Sequence, residues 1–367
     1  MANKSARRSR RKQRISLITN IIFSLITLTA LTGCIILLLQ NYSMRNESRE
    51  VLGRLEEYEI REEKYIYTQE DLEAYSDSEA LAAIEQGRQD VLTDLKTAIS
   101  GGNSTVAVLR RFYPEDVVVY ADGGYNFFPI SDALKKNDYV YDNFVLQENG
   151  EIIYTDGDQT VLSLKGIDVS KHQGEINWRR VAGEDIAYAF IRAGFRGSSE
   201  GKLVEDEFFQ DNIEGALDNG IDVGIYFYTQ AMTVEEAEEE AEFVIDLIKD
   251  YDVSYPVVLD LEESTSSSAR TANMTQEEYT KAAIAFCDKI KEAGYTPMIY
   301  GNLKTFMIML DLKQLEDYEK WFAYYDNPVY FPYAFSIWQY SSKGSIKGIE
   351  GDVDLNVCMK DFSKQSQ

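Results

Sequence analysis

The sequence contains few of the residues that build metal centres, disulfide frameworks or histidine-dependent active sites. Its 367 residues include one histidine, His172, and three cysteines. A lone imidazole gives little support to a metal site or a Ser–His triad, so we predict no metal and no cofactor. Cys287 and Cys358 have no spacing that demands a bridge and are predicted to be buried apolar side chains. His172 either contacts a ligand or holds a loop, and we favour the loop.

Basic residues are scarce beyond the N-terminus. Seven of the 37 lie within residues 1–14, where no acid occurs, so the rest of the chain carries 30 basic against 62 acidic residues. A nucleic-acid-binding surface needs clustered basic side chains to neutralise phosphates. The composition therefore predicts an acidic, solvated body with no nucleic acid as partner.

Charge is absent from residues 15–39, which form a single apolar run. A bilayer core needs about 20 helical residues, so we predict a transmembrane helix at 15–40 that contacts the membrane. The basic segment 1–14 then stays in the cytoplasm and everything after the helix lies outside the cell. Two alternatives remain. One is a cleaved signal peptide. The other is a lipoprotein modified at Cys34, although apolar residues continue to Leu39.

Proline is absent from residues 41–104, and the segment is rich in Glu, Leu, Arg and Ala. This composition predicts a helical stalk, with self-association through the stalk as an alternative. Residues 105–162 contain short β-like runs separated by turn pairs such as Asp122-Gly123 and Asn149-Gly150, which predict a small β-rich module. We expect this module to be a spacer or to dock on another part of the chain.

Residues 163–363 alternate between short apolar runs and helical patterns. There are eight apolar runs, at 166–170, 187–193, 223–229, 256–262, 297–301, 321–325, 335–340 and 353–358. Alternating strands and helices predict an α/β fold with a parallel sheet, and eight strands suggest a closed TIM-like barrel. Little helical pattern separates the last three runs, so the barrel should be irregular. About 200 residues can bury a core, and we expect a fragment from Ser163 to fold alone.

Paired carboxylates follow the fourth run. Strand side chains alternate, so Asp260 and Glu262 should face one side and Glu263 the other. Two neighbouring carboxyls repel each other, which raises the pKa of one and lets it act as an acid. Glycoside hydrolysis needs such a pair. Asp-x-Glu alone is weak evidence in a chain with 62 acidic residues, but its position at the end of a strand favours catalysis.

The barrel region resembles glycoside hydrolase family 25, the lysozymes that cut between N-acetylmuramic acid and N-acetylglucosamine. The motifs that carry the resemblance are Gly166-Ile167-Asp168-Val169-Ser170 with His172-Gln173-Gly174, Gly224-Ile225-Tyr226-Phe227-Tyr228, Asp260-Leu261-Glu262, Pro297-Met298-Ile299-Tyr300, Trp338-Gln339-Tyr340 and Asp354-Leu355-Asn356. Many members have histidine where this chain has Phe227. Alternation turns Phe227 away from Tyr226 and Tyr228, so we expect little catalytic effect.

The resemblance implies a (β/α)5β3 barrel and a set of acidic site residues. Glu262 matches the general acid and Asp260 its partner, which stabilises an intermediate formed by the substrate's own acetamido group. Asp168 and Asp354 match two further acids at the rim of the pocket. Separately from the resemblance, five aromatic residues are candidates to line the cleft and bind sugar, with packing as the alternative for each: Tyr226, Tyr228, Tyr300, Trp338 and Tyr340.

The predicted function is that of an extracellular, membrane-anchored peptidoglycan hydrolase. It would cleave the β-1,4 bond between N-acetylmuramic acid and N-acetylglucosamine in the glycan strands, by general acid catalysis with retention. One alternative is a non-catalytic peptidoglycan-binding module. Two others are a signalling or structural membrane protein, and an enzyme acting on another N-acetylated glycan such as chitin.

Overall fold

The computed structural model describes residues 2–61, 77–264 and 266–364, which divide into two compact units, Met1–Asp94 and Leu95–Gln367. In the first unit, helix α1 covers Ala2–Arg61. Its segment Arg14–Arg54 is long and apolar enough to cross a membrane, a test of length and composition that a signal sequence also passes. Helix α2, Asp77–Ser100, follows. Part of the predicted stalk, at 62–76, lies outside the described residues.

The second unit is built around an eight-stranded barrel. Its strands are β5 Leu164–Val169, β6 Tyr188–Arg196, β8 Asp222–Tyr228, β9 Val257–Asp260, β10 Pro297–Gly301, β11 Glu319–Ala323, β12 Ile337–Gly344 and β13 Val353–Cys358. Pairing of β5 with both β6 and β13 closes the barrel, and a short strand β7, Leu203–Glu205, extends β6 outside it. Each of the eight apolar runs contributes one strand, so the predicted fold class is confirmed.

Helices cover the barrel unevenly. They follow the first four strands as α4 Trp178–Val181, α5 Phe209–Asp218, α6 Val234–Ile248 and α7 Gln276–Glu292. Beyond β10 there is only a short π-helical segment, Thr305–Met309, and a 3-10 turn, and the described residues contain no helix from β11 to β13. Strand β13 is antiparallel to both of its neighbours. The predicted irregular end is therefore present.

Aromatic rings fill the interior of the barrel beneath the acidic side chains. Tyr188 stacks on Tyr255 at 4.6 Å between ring centroids, and Phe190 stacks on Trp321 at 4.5 Å. Gly166 makes room for this layer, because a Cβ at that position would lie 2.1 Å from the Tyr188 ring. Since rings occupy the lower layers, polar side chains have space only at the opposite end, where the parallel strands terminate.

Residues 105–162 form a short helix and two hairpins, which we call the module. Helix α3 is Thr105–Phe112, and the strands are β1 Asp116–Ala121, β2 Gly124–Pro129, β3 Phe144–Leu146 and β4 Ile152–Tyr154. The first hairpin turns at Asp122-Gly123, where both residues have positive φ, as a two-residue type I′ turn requires.

The module packs on the part of the barrel wall that helices leave uncovered. Phe144 meets Trp338 edge-on, with ring centroids 5.3 Å apart, and belongs to the same apolar core as the barrel. The hydroxyl of Tyr330 donates to the Asp116 carbonyl and accepts the Val118 N–H. The module thus docks on the barrel. Because the two share a core, the structure argues against our expectation that a fragment from Ser163 folds alone.

Candidate active site

Four acidic side chains line one cavity of about 470 Å³ at the open end of the barrel. Asp168 lies near the end of β5, Asp260 ends β9, and Glu262 follows two residues later. Asp354 lies near the start of β13, and its Cα is paired with that of Asp168 because β13 runs antiparallel. The architecture therefore brings together the four acids that the sequence singled out.

Amide side chains hold Asp168 in place. Its Oδ2 accepts hydrogen bonds from Gln339 Nε2 at 2.9 Å and Asn356 Nδ2 at 2.8 Å. The indole N–H of Trp321 donates to Asn356 Oδ1 at 2.8 Å, which orients that amide. Burial and the nearby Asp354 raise the pKa of Asp168 well above its usual range, while the two amide bonds lower it. Asp168 is thus a fixed, deeply buried acceptor.

Asp260 and Glu262 differ in their surroundings. Asp260 is buried, and its Oδ1 has no hydrogen-bond partner among the described residues. Burial first, and the Glu262 charge second, raise the pKa of Asp260 well above its usual range. Burial also raises the pKa of Glu262, but a hydrogen bond from Tyr300 lowers it. Burial, more than repulsion between the two carboxyls, is therefore the main cause of both raised pKa values. The pKa of Asp260 is raised more than that of Glu262.

The pKa of Asp354 is raised as well. Burial, followed by the charge of Glu262, raises the pKa of Asp354 to about 6. The four carboxyls of this cavity titrate as a coupled group, because the charge of each one affects the pKa of the others.

Among the described residues that line the cavity, Arg192 is the only lysine or arginine. Its Nε donates to Asp206 Oδ2 at 2.7 Å, and its Nη2 lies 2.6 Å from the same oxygen. Asp206 is itself buried and also accepts the Lys171 N–H. The charge of Arg192 lowers the pKa of Asp260. Sequence reasoning missed Arg192, although a charged residue inside an apolar strand was an available signal.

Three of the five predicted sugar-binding aromatics line the cavity, namely Tyr226, Tyr228 and Tyr300. Two others, Trp321 and Tyr325, were not predicted. Tyr325 is exposed at the rim, and its hydroxyl donates to Gln339. His172 also lines the cavity with an exposed side chain, so its ring faces the ligand space and is not packed beneath a loop.

Trp338 and Tyr340 do not line the cavity, contrary to the prediction. Gln339, between them on β12, faces the interior, so alternation turns both aromatics outward. Trp338 is fully buried under Phe144 of the module, and its indole N–H donates to a backbone carbonyl. Their role is packing. Phe227 also faces outward, as expected, with its ring 5.8 Å from Phe243 on α6.

Glu263 lies outside the cavity, although it follows Glu262 directly. Its Oε2 is 2.6 Å from Lys304 Nζ, and its side chain is half exposed. Its orientation agrees with the predicted alternation at the end of β9. Among the described residues, no group of three or more His, Cys, Asp and Glu side chains is arranged to hold a metal ion.

The chain is similar to known cell-wall enzymes. The family model of glycosyl hydrolases family 25 matches residues 167–349. An uncharacterized protein YegX of Escherichia coli O157:H7 is 29% identical over 248 residues, which cover 66% of this chain and 85% of that protein. An autolytic lysozyme of Clostridium acetobutylicum is 24% identical over 53% of this chain and 55% of its own length.

The chain is also similar to a solved structure, that of the modular autolysin LytC of Streptococcus pneumoniae in complex with a synthetic peptidoglycan ligand. It is 25% identical, with a TM-score of 0.49, over 66% of this chain. The match spans 56% of the pneumococcal chain, little more than half of its length.

Proposed function

Because its barrel belongs to glycosyl hydrolase family 25, the chain is a glycoside hydrolase, and we propose that it cleaves the glycan strands of peptidoglycan. The bond would be the β-1,4 link from N-acetylmuramic acid to N-acetylglucosamine, and the product would retain its configuration. One observation carries the proposal. Asp260 and Glu262 line the same cavity, so one substrate can contact both carboxyls, with its acetamido N–H at Asp260 and its leaving oxygen at Glu262.

This contact would influence which carboxyl of the cluster carries a proton. An N–H donated to Asp260 favours the ionised form of that carboxyl and offsets its burial. We assign the proton that is given to the leaving group to Glu262, whose pKa burial also raises. Protonated Glu262 can donate its proton to the leaving glycosidic oxygen. As the acetamido oxygen of the substrate attacks the sugar carbon, ionised Asp260 stabilises the positive charge that develops on the acetamido group.

Fragments released from purified cell wall test the function. The full-length protein, purified in detergent, is incubated with peptidoglycan, and the products are reduced and measured by mass spectrometry. We expect new reducing ends on N-acetylmuramic acid. New reducing ends only on N-acetylglucosamine would contradict the proposed bond. Wall binding without release of any fragment would favour the non-catalytic alternative.

Arg192 gives a prediction about pH. Activity needs ionised Asp260, so it is lost as pH falls through the pKa of Asp260. Arg192 lowers that pKa, and Arg192→Gln should therefore move the acidic limb of the kcat profile, which reports the substrate complex, to higher pH. Arg192→Lys keeps the charge and should move the limb less. The alkaline limb, set by loss of the Glu262 proton, should shift little. A uniform drop in kcat with unmoved limbs would indicate a purely structural role.

We also propose that α1 anchors the protein in the membrane with the barrel outside the cell. Support comes from the basic residues before the apolar segment and the length of Arg14–Arg54. Protease added to intact protoplasts should remove the barrel and leave a short protected N-terminal fragment on immunoblots. A fully protected barrel would reverse the orientation. Release of the protein from membranes by Cys34→Ala would instead support a lipid anchor.

A further inference from the structure

A second cavity lies beside the catalytic one, on the other side of the chain segment that carries Glu262. Its volume is about 580 Å³, and it shares no lining residue with the catalytic cavity. Glu262 lines the first cavity and Glu263 the second. Consecutive residues of one chain segment therefore line the two cavities, so the two linings meet at Glu262 and Glu263.

Three parts of the fold build the second cavity. The segment after β9 and the start of α7 supply one side, the π-helical segment supplies another, and the hairpin turn of the module contributes Asp122. Lys304 Nζ lies 2.6 Å from both Asp122 Oδ1 and Glu263 Oε2, so it joins the module to the barrel at this point. The cavity thus exists only where the module meets the catalytic end of the barrel.

The lining suits a neutral, hydroxyl-rich ligand. Lys304 partly offsets the two acids, so little net charge remains. Tyr279 and Met309 add apolar surface, and the exposed Asn273 adds an amide that can both donate and accept. An aromatic ring can stack on the flat face of a sugar, while amide groups beside it bind the sugar hydroxyls.

We propose that this second cavity binds further saccharide units of the glycan strand whose scissile bond lies at Glu262. The inference rests on the proposed function and extends it to the module, which would then take part in substrate binding. It predicts a preference for long glycan strands over short oligosaccharides. The two acids, paired with one ammonium, make a saccharide a better fit than the charged stem peptide.

Blocking the cavity tests this inference in the full-length protein. Asn273→Trp places an indole in the cavity from an exposed position, and Ser267→Trp does so from another exposed position of the lining. The substrates are long glycan strands without stem peptides and a tetrasaccharide of the same sugars. Each blocking variant should raise the ratio of KM for the long strand to KM for the tetrasaccharide about tenfold, as loss of a binding contact does.

Glu292→Trp is the matched control, because Glu292 ends α7 at the opposite end of the barrel and is exposed. Its KM ratio should equal that of the parent. An unchanged ratio in both blocking variants overturns the inference. The inference is also overturned if the ratio shifts only when the long strands carry stem peptides, because the second cavity then binds the peptide and not the sugar. If the parent cleaves neither substrate, the proposed function itself fails, which is a distinct result.

Discussion

Glu262→Gln should lower kcat on purified peptidoglycan by roughly 10² or more, the usual contribution of a general acid. The amide keeps the shape of the side chain, but it cannot deliver a proton to the leaving oxygen. Binding to the wall should persist, so a pull-down with insoluble peptidoglycan should recover this variant as well as the parent. Release of reducing ends measures the loss.

Glu263→Gln is the control that tests which of the two neighbouring glutamates after β9 faces the catalytic cavity. Glu263 is one position away but contacts Lys304 outside the catalytic cavity, so the kcat of this variant on a tetrasaccharide, which does not need the second cavity, should stay close to the parent value. Asp260→Asn should be severely impaired, because a neutral amide cannot stabilise positive charge on the acetamido group. Loss of kcat in Glu263→Gln with normal kcat in Glu262→Gln would reverse the assignment of the acids.

Phe144→Ala should lower the free energy of unfolding by about 3–5 kcal/mol, the usual cost of removing a buried phenyl ring from a core. Phe144 is 6% exposed and packs against Trp338 of the barrel, although it belongs to the module. The expected readout is a lower midpoint in denaturant, measured by circular dichroism on residues 95–367. A fragment 163–367 should lack a cooperative transition, because it exposes the barrel wall under the module.

Phe127→Ala provides the comparison for this prediction. Phe127 is also an aromatic residue of the module, but it is 41% exposed. Its removal should cost less than about 1 kcal/mol, since most of the ring is already in water. Equal effects of the two substitutions, or a cooperative transition in fragment 163–367, would mean that the module is an independent domain.

The fold could be predicted largely from the sequence because its signal is local. Each of the eight apolar runs forms a barrel strand, and Thr233 and Thr275 begin the two helices with the clearest apolar faces by accepting backbone N–H groups. Alternation at the end of β9 was enough to separate Glu262 from Glu263. These features depend on residues two to four positions apart.

The errors concern features that depend on distant parts of the chain. Trp338 and Tyr340 were assigned to the cleft because an aromatic at a strand suits sugar binding, but which face of β12 points inward is set by closure of the barrel. Arg192 was missed because its importance comes from Asp206 and the carboxyls around it. The shared core of module and barrel was missed since Phe144 reads as part of a separate short hairpin.

The pairing of β5 with β13 determines when, during synthesis of the chain, the catalytic cavity can be complete. Asp168 receives its two amide hydrogen bonds from Gln339 and Asn356, which follow it by 171 and 188 positions. A growing chain lacks both donors, and its sheet remains open at β5. The acidic cavity is therefore completed only after the whole barrel has been synthesised, so an incomplete chain lacks the arrangement of acids that catalysis needs.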